Sequence, residues 1–170
     1  VMMAFRIAWF KVHRPLAYYA AYFSIRAAEF DATVVVKGQD FVKQQLAELE
    51  ALSKEKKLDV KGADTLAVLQ LVNEMFCRGF TVEHVDLYKS DAYRFIMHEE
   101  TKSLLPPIAS IAGVGPIAAQ SIVDVRDERE FSSIEDLKSR AGINKTSIAA
   151  LKEHGCLDGL DDSDQIALFG

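Results

Sequence analysis

Between Val1 and Val12 apolar side chains occupy nearly every side of a helical projection, with only Arg6 and Lys11 charged, which predicts a mostly buried helix. Pro15 then suits the first position of a second helix, because its fixed φ is already helical and its missing N–H would have no partner there. Large apolar and aromatic residues continue from Leu16 to Ile25, so the two helices are expected to pack together. From Gly38 to Leu52 the positions Phe41, Val42, Leu46, Leu49 and Leu52 alternate with Gln, Lys and Glu, the pattern of an amphipathic helix with one wet face. Ser53 to Gly62 reads as a charged loop. A further helix starts at Ala63 or Asp64, repeats Leu66, Leu69, Val72 and Phe76 at three- and four-residue spacing, and ends at Gly79.

The period then changes. Phe80, Val82, Val85 and Leu87, with Tyr93, Phe95 and Ile96, read as short strands, and the polar run His98 to Ser103 reads as a hairpin turn before Leu104-Leu105-Pro106-Pro107. The last third returns to short helices at Pro116 to Arg126, Ser133 to Arg140 and Lys145 to Glu153. The expected fold is mainly α with a small antiparallel β-hairpin or sheet, an α+β protein, divided into 1–79 (helical), 80–106 (small β element), 107–157 (helical) and 158–170 (acidic tail).

A chain of 170 residues, 49% hydrophobic and 26% charged, can bury one core or form two small domains. Its 20 Lys and Arg against 25 Asp and Glu give a net charge of −5, which argues against a surface that coats nucleic acid or anionic membrane throughout. By segment the picture differs. Residues 1–28 hold Arg6, Lys11, Arg14 and Arg26 with no acid, and 137–152 hold Lys138, Arg140, Lys145 and Lys152 with no acid. The tail reverses the sign with Asp158, Asp161, Asp162 and Asp164. Each block reads either as a solvated face or as a surface for a partner of opposite charge.

Cys77 and Cys156 read as reduced core thiols of an intracellular, cytoplasmic protein rather than as a disulfide. The uncharged stretch Pro15 to Ile25 is far shorter than the roughly 20 residues a membrane span needs, and no signal peptide pattern is present. The four histidines show no ligand spacing with each other or with cysteine, so no metal site is expected. The first residue is Val and helical character begins at once, as in a segment of a longer polypeptide.

The most informative run is Ile111-Ala112-Gly113-Val114-Gly115-Pro116-Ile117-Ala118-Ala119. Two glycines around one apolar residue permit a tight turn at positive φ, and Pro116 opens a helix directly after it. Exposed N-terminal amides and the helix dipole there form an anion site, which a phosphodiester could approach closely over Gly113 and Gly115. Ala118, Ala119 and Ile122 would face a preceding short helix. A plain turn is the alternative reading of these residues.

This pattern resembles the helix-hairpin-helix element, which holds a DNA backbone through main-chain N–H groups. The runs Phe131-Ser132-Ser133-Ile134-Glu135-Asp136-Leu137 and Gly155-Cys156-Leu157-Asp158-Gly159-Leu160 resemble the segment after that element in bacterial replicative polymerases of the C family. Arg6-Ile7-Ala8-Trp9-Phe10-Lys11-Val12-His13-Arg14-Pro15-Leu16 resembles their helical fingers, and Val85-Asp86-Leu87-Tyr88-Lys89-Ser90 with Leu104-Leu105-Pro106-Pro107 resembles the PolC form. The resemblance implies a fingers segment over 1–79 and a duplex-binding helix-hairpin-helix domain over 107–157. Sequence-independent duplex contacts would fall at Gly113, Val114, Gly115, Ile117 and Lys145. It makes phosphate contacts plausible at Lys11, His13 and Arg14; the alternative is that these cations cap the C-terminus of the first helix. It also implies a sliding-clamp motif at Gln165, Ile166, Leu168 and Phe169, with a strand-like fold-back onto the domain as the alternative. The catalytic aspartates and Mg2+ would belong to a palm in the remainder of the polymerase chain, leaving this chain without a cofactor or activity of its own. A rival from another class is a helix-hairpin-helix interaction module of a repair or recombination complex.

Overall fold

In a computed structural model that describes residues 2–163, Pro15 starts its helix as expected, but the helix before it is not buried. Helix α1 (Met2–His13) has no buried residue, and Phe5, Trp9 and Val12 are 77%, 49% and 67% exposed. Its contact with the helix that Pro15 starts leaves these apolar side chains uncovered. Helix α1 is held at its C-terminal end, where Lys11 pairs with Glu74 at 2.7 Å and lies over the Tyr18 ring, and where the Arg78 guanidinium donates to the Lys11 carbonyl. Arg14, at φ −137° and ψ 58°, breaks the helical path before α2 (Pro15–Ile25).

Helix α2 supplies the centre of the core. Tyr19 and Phe23 are fully buried, and Phe23 meets Phe30 and Phe95 at ring-centroid distances of 5.1 and 5.7 Å. A four-residue helix α3 (Ala32–Val35), capped by the Asp31 carboxylate, leads to α4 (Gln39–Lys54) and α5 (Val60–Cys77). Their apolar stripes, Val42 and Leu46 on α4 and Val68, Leu69, Val72 and Met75 on α5, turn inward. The expected loop from Ser53 to Gly62 shrinks from both sides. Helix α4 runs on to Lys54, and α5 starts at Val60 because the Asp59 carboxylate accepts the Gly62 N–H at 2.7 Å as an N-cap. Cys77 is exposed at the end of α5, whereas Cys156 is half-buried and burial pushes its thiol up to about 12.

The small sheet has the order β1-β3-β2, from β1 (Thr81–Val82), β2 (Ile96–His98) and β3 (Ser103–Leu105). The hairpin β2–β3 is antiparallel, as the polar turn predicts, while β1 joins β3 in parallel and makes the sheet mixed. Val85 and Leu87 are buried without forming a strand. The carboxylates of Asp86 and Asp91 accept backbone N–H groups two and three residues on, which offers the chain turns in place of a ladder.

The resulting strap, residues 83–95, is tied to both halves of the molecule. The Phe95 N–H donates to Ser24 Oγ on α2, while Arg126 donates to the Leu87 carbonyl and the Val85 N–H donates to His154 Nε2 at 3.1 Å. A 3₁₀ turn over Ile108–Ser110 precedes α6 (Pro116–Arg126), α7 (Ile134–Ala141) and α8 (Lys145–Glu153). Ser133 and Asn144 cap α7 and α8 through their side chains. The acidic tail does not leave the domain at Asp158: the carbonyls of Asp161 and Asp162 accept the N–H groups of Ile134 and Glu135, the otherwise open first turn of α7.

His154 gives this packing a pH dependence. Burial, reinforced by the nearby His84, holds its imidazole below the ordinary histidine value against a smaller opposing effect of Asp31. Its Nε2 must also stay unprotonated to accept the Val85 N–H. A folded pKa below the unfolded one means that this stability is complete above about pH 6.5 and is lost as pH falls through the folded value. The urea midpoint of the wild type is expected to drop from pH 7.5 to 5.5 by more than that of His154→Gln.

Candidate nucleic-acid interface

The hairpin before α6 is built by three residues with different tasks. Gly113 sits at φ +94°, and a Cβ there would meet the Cβ of Ala150 at 3.2 Å, so glycine is required by both conformation and space. Val114, 5% exposed, anchors the turn in the core, and its N–H closes the turn on the Ile111 carbonyl at 3.0 Å. Gly115 differs from expectation. Its φ of −72° is ordinary for any residue and nothing lies within 4 Å of its Cβ position, so space for an approaching ligand is what its missing side chain leaves.

Gly115 is also the N-cap of α6 and offers no side-chain cap. Pro116 has no N–H, which leaves the amides of Ile117 and Ala118 at the open end of the helix dipole. Ile117 is 85% exposed beside them, while Ala119 and Ile122 pack inward as anticipated. Tyr93, from the strap, donates its hydroxyl to the Pro116 carbonyl at 2.9 Å and fixes the rim of the turn.

Helix α8 supports the hairpin. Ser147 Oγ donates to the Gly113 carbonyl at 3.2 Å, so Lys145, exposed at the start of the same helix, is held on the element that backs the hairpin. The turn before α8 repeats the first one: Gly142 lies at φ +61°, Ile143 is buried as Val114 is, and Asn144 takes the N-cap place of Gly115. Ala112-Gly113-Val114-Gly115 and Ala141-Gly142-Ile143-Asn144 show this correspondence in the sequence itself, a signal that a search for glycine pairs passes over. Ser121 Oγ locks the two halves by donating to the Ala141 carbonyl.

The two basic blocks are smaller than their sequences suggest. Lys11 pairs with Glu74, Arg26 with Asp64 at 3.0 Å, and Lys152 with Asp162 at 2.9 Å. Arg140 is turned inward, donating to the carbonyls of Val125 and Arg129 and pairing with Asp136. Arg6, Arg14, Lys138 and Lys145 form no ion pair among the described residues. Of the three residues expected at a phosphate, Lys11 is thus occupied by a carboxylate, whereas His13 and Arg14 are exposed, His13 stacking on Trp9 at 4.6 Å. They stand at the start of α2, and the hairpin shares a cleft with Ser24 and Ile25 at its end, one helix length of about 16 Å away. Gln165, Ile166, Leu168 and Phe169 lie outside the described residues. Among the described residues no group of three or more His, Cys, Asp or Glu is placed to hold a metal ion, and no helix is long and apolar enough to cross a membrane.

Residues 79–166 match the family model described as a helix-hairpin-helix motif, a span that covers both turns. The chain belongs to the helix-hairpin-helix family. Its sequence is similar along almost its whole length to proteins named DNA polymerase III PolC-type. Identity is 47% over 99% of the chain for Halalkalibacterium halodurans, 44% over 100% for Clostridium perfringens and 45% over 99% for Bacillus subtilis. The chain spans 12% of the length of each of these relatives. The helix-hairpin-helix family and the PolC resemblance read from the sequence therefore agree with these matches.

Proposed function

We propose that this chain is a DNA-binding part of a PolC-type replicative polymerase that grips duplex DNA by its backbone, without reading bases. The observation that carries this reading is the open start of α6 at Gly115, uncapped by any side chain, within the segment matched by the helix-hairpin-helix model. The amides of Ile117 and Ala118 meet one phosphate, Gly113 and Val114 hold the turn that presents them, and Lys145 adds charge from α8. Asn144 gives the second turn a similar but side-chain-capped start. Contacts of this kind position a duplex and carry no sequence information.

The same reading places the exposed apolar α1 against the remainder of the polymerase chain, and the palm aspartates with their Mg2+ in that remainder. The working place of the assembly is the cytoplasm, on the nucleoid. Fluorescence anisotropy with mixed-sequence duplexes tests the central claim. The logarithm of the affinity is expected to fall linearly with the logarithm of salt concentration, and the affinity to be equal across sequences. Binding that is absent at low salt, or that follows sequence, would sink it.

Clamp docking is proposed for Gln165, Ile166, Leu168 and Phe169, whose apolar anchors, each worth about 1.5–3 kcal/mol when buried, support affinity in roughly the micromolar range after ordering costs. Removal of 165–169 is expected to abolish binding to a bacterial sliding clamp in surface plasmon resonance and to leave the melting temperature unchanged. A large loss of melting temperature with clamp binding intact would favour the fold-back alternative.

A further inference from the structure

We propose that the junction of α1 and α2 carries a second phosphate site, formed by His13, Arg14 and Lys102, that takes one backbone phosphate of a nucleic-acid strand. These three side chains line a surface cavity of about 220 Å³ with Pro15, Leu16 and Phe80 as its apolar floor. The juxtaposition is tertiary. Lys102 comes from the β2–β3 turn, far along the chain from Arg14, and sits at φ +53°, a conformation in which lysine is uncommon.

Charge and size select the ligand. Arg14 and Lys102 form no ion pair among the described residues, and Glu99 is the one carboxylate in the lining. The lining therefore presents two permanent cations, Arg14 and Lys102, to one carboxylate. The volume lies below the roughly 300 Å³ at which ligand pockets begin, which suits a phosphate group better than a whole nucleotide. An apolar floor beneath a cationic rim fits a sugar-phosphate unit better than a free, fully hydrated phosphate ion. Arg14 offers a planar fork to the phosphate oxygens, Lys102 a point charge, and His13 an N–H.

The site rests on the nucleic-acid reading given above, and it is separable from the hairpin by one helix length. The test compares the wild type with Arg14→Gln/Lys102→Gln and with Gly115→Val, using an oligonucleotide duplex with a single-stranded overhang. The glutamine pair replaces exposed side chains and is expected to keep the wild-type melting temperature. It should lower affinity about tenfold or more and the salt slope by about one, with Lys102→Arg restoring both. Unchanged affinity and slope in the glutamine pair, with binding weakened in Gly115→Val, overturns the second site and leaves the hairpin standing. A parallel titration follows the backbone amides of Arg14 and Lys102 by NMR. Shifts with the oligonucleotide that persist in Gly115→Val support the site; shifts with inorganic pyrophosphate alone overturn its assignment to a strand, and shifts with neither overturn it altogether.

Discussion

Gly115→Val is expected to weaken duplex binding by about 10- to 100-fold while the protein stays folded, and Gly113→Val to weaken binding and stability together. The two glycines differ in what they do. Gly113 is held at φ +94° with Ala150 3.2 Å from its Cβ position, so a β-branched residue there meets both backbone strain and a neighbour, for about 1–3 kcal/mol from the strain alone. Gly115 has an ordinary φ and free space around it, and valine costs only the poorer N-cap, about 1 kcal/mol. Yet that free space is where a phosphate must come to reach the amides of Ile117 and Ala118. Losing a charge-assisted hydrogen bond is worth about 1.5–3 kcal/mol, which gives the stated loss of affinity. Anisotropy for binding and urea denaturation for stability separate the two variants. Equal affinity of Gly115→Val and wild type would move the DNA contact away from the start of α6.

That distinction between the glycines marks how far the sequence could be read. Helices α6 and α8 were legible to the residue, since Pro116 and the run from Lys145 to Glu153 carry strong local signals. The β2–β3 hairpin was legible from its polar turn. Composition also suggested that α1 is buried, because a helix apolar on all sides looks the same whether or not neighbours cover it. Burial depends on what covers α1, and α2 and α5 meet it without burying any of its residues. The basic blocks failed for a related reason. A list of cations shows nothing of Glu74 and Asp64, which lie far away in sequence and pair with Lys11 and Arg26, or of the turn that brings Asp162 of the nearby acidic tail back onto Lys152. Lys102 was invisible as a partner of Arg14 for the same cause, since only tertiary structure brings the β turn to the α1–α2 junction.

The largest loss of stability is expected from Phe23→Ala. The side chain is fully buried and touches rings from three parts of the chain: Tyr19 on its own helix, Phe30 before α3, and Phe95 at the entry to β2. Truncation removes the transfer energy of the ring and leaves a cavity that aromatic neighbours fixed on separate elements fill poorly, for about 3–5 kcal/mol. Against a total of roughly 5–15 kcal/mol for a domain, this consumes a large share of the margin. The effect should not stop at the helical half. The strap that carries Phe95 also receives Arg126 and binds His154 through Val85, so loosening its anchor at Phe23 loosens the support of α6 and α8. Urea denaturation by circular dichroism should therefore show one shifted transition, accompanied by faster amide exchange at Val85 and Leu87. Ile117→Ala, at a site 85% exposed, is the matching control and should change stability by no more than about 0.5 kcal/mol. A Phe23→Ala shift as small as that of the control would mean that the two halves do not meet at this ring.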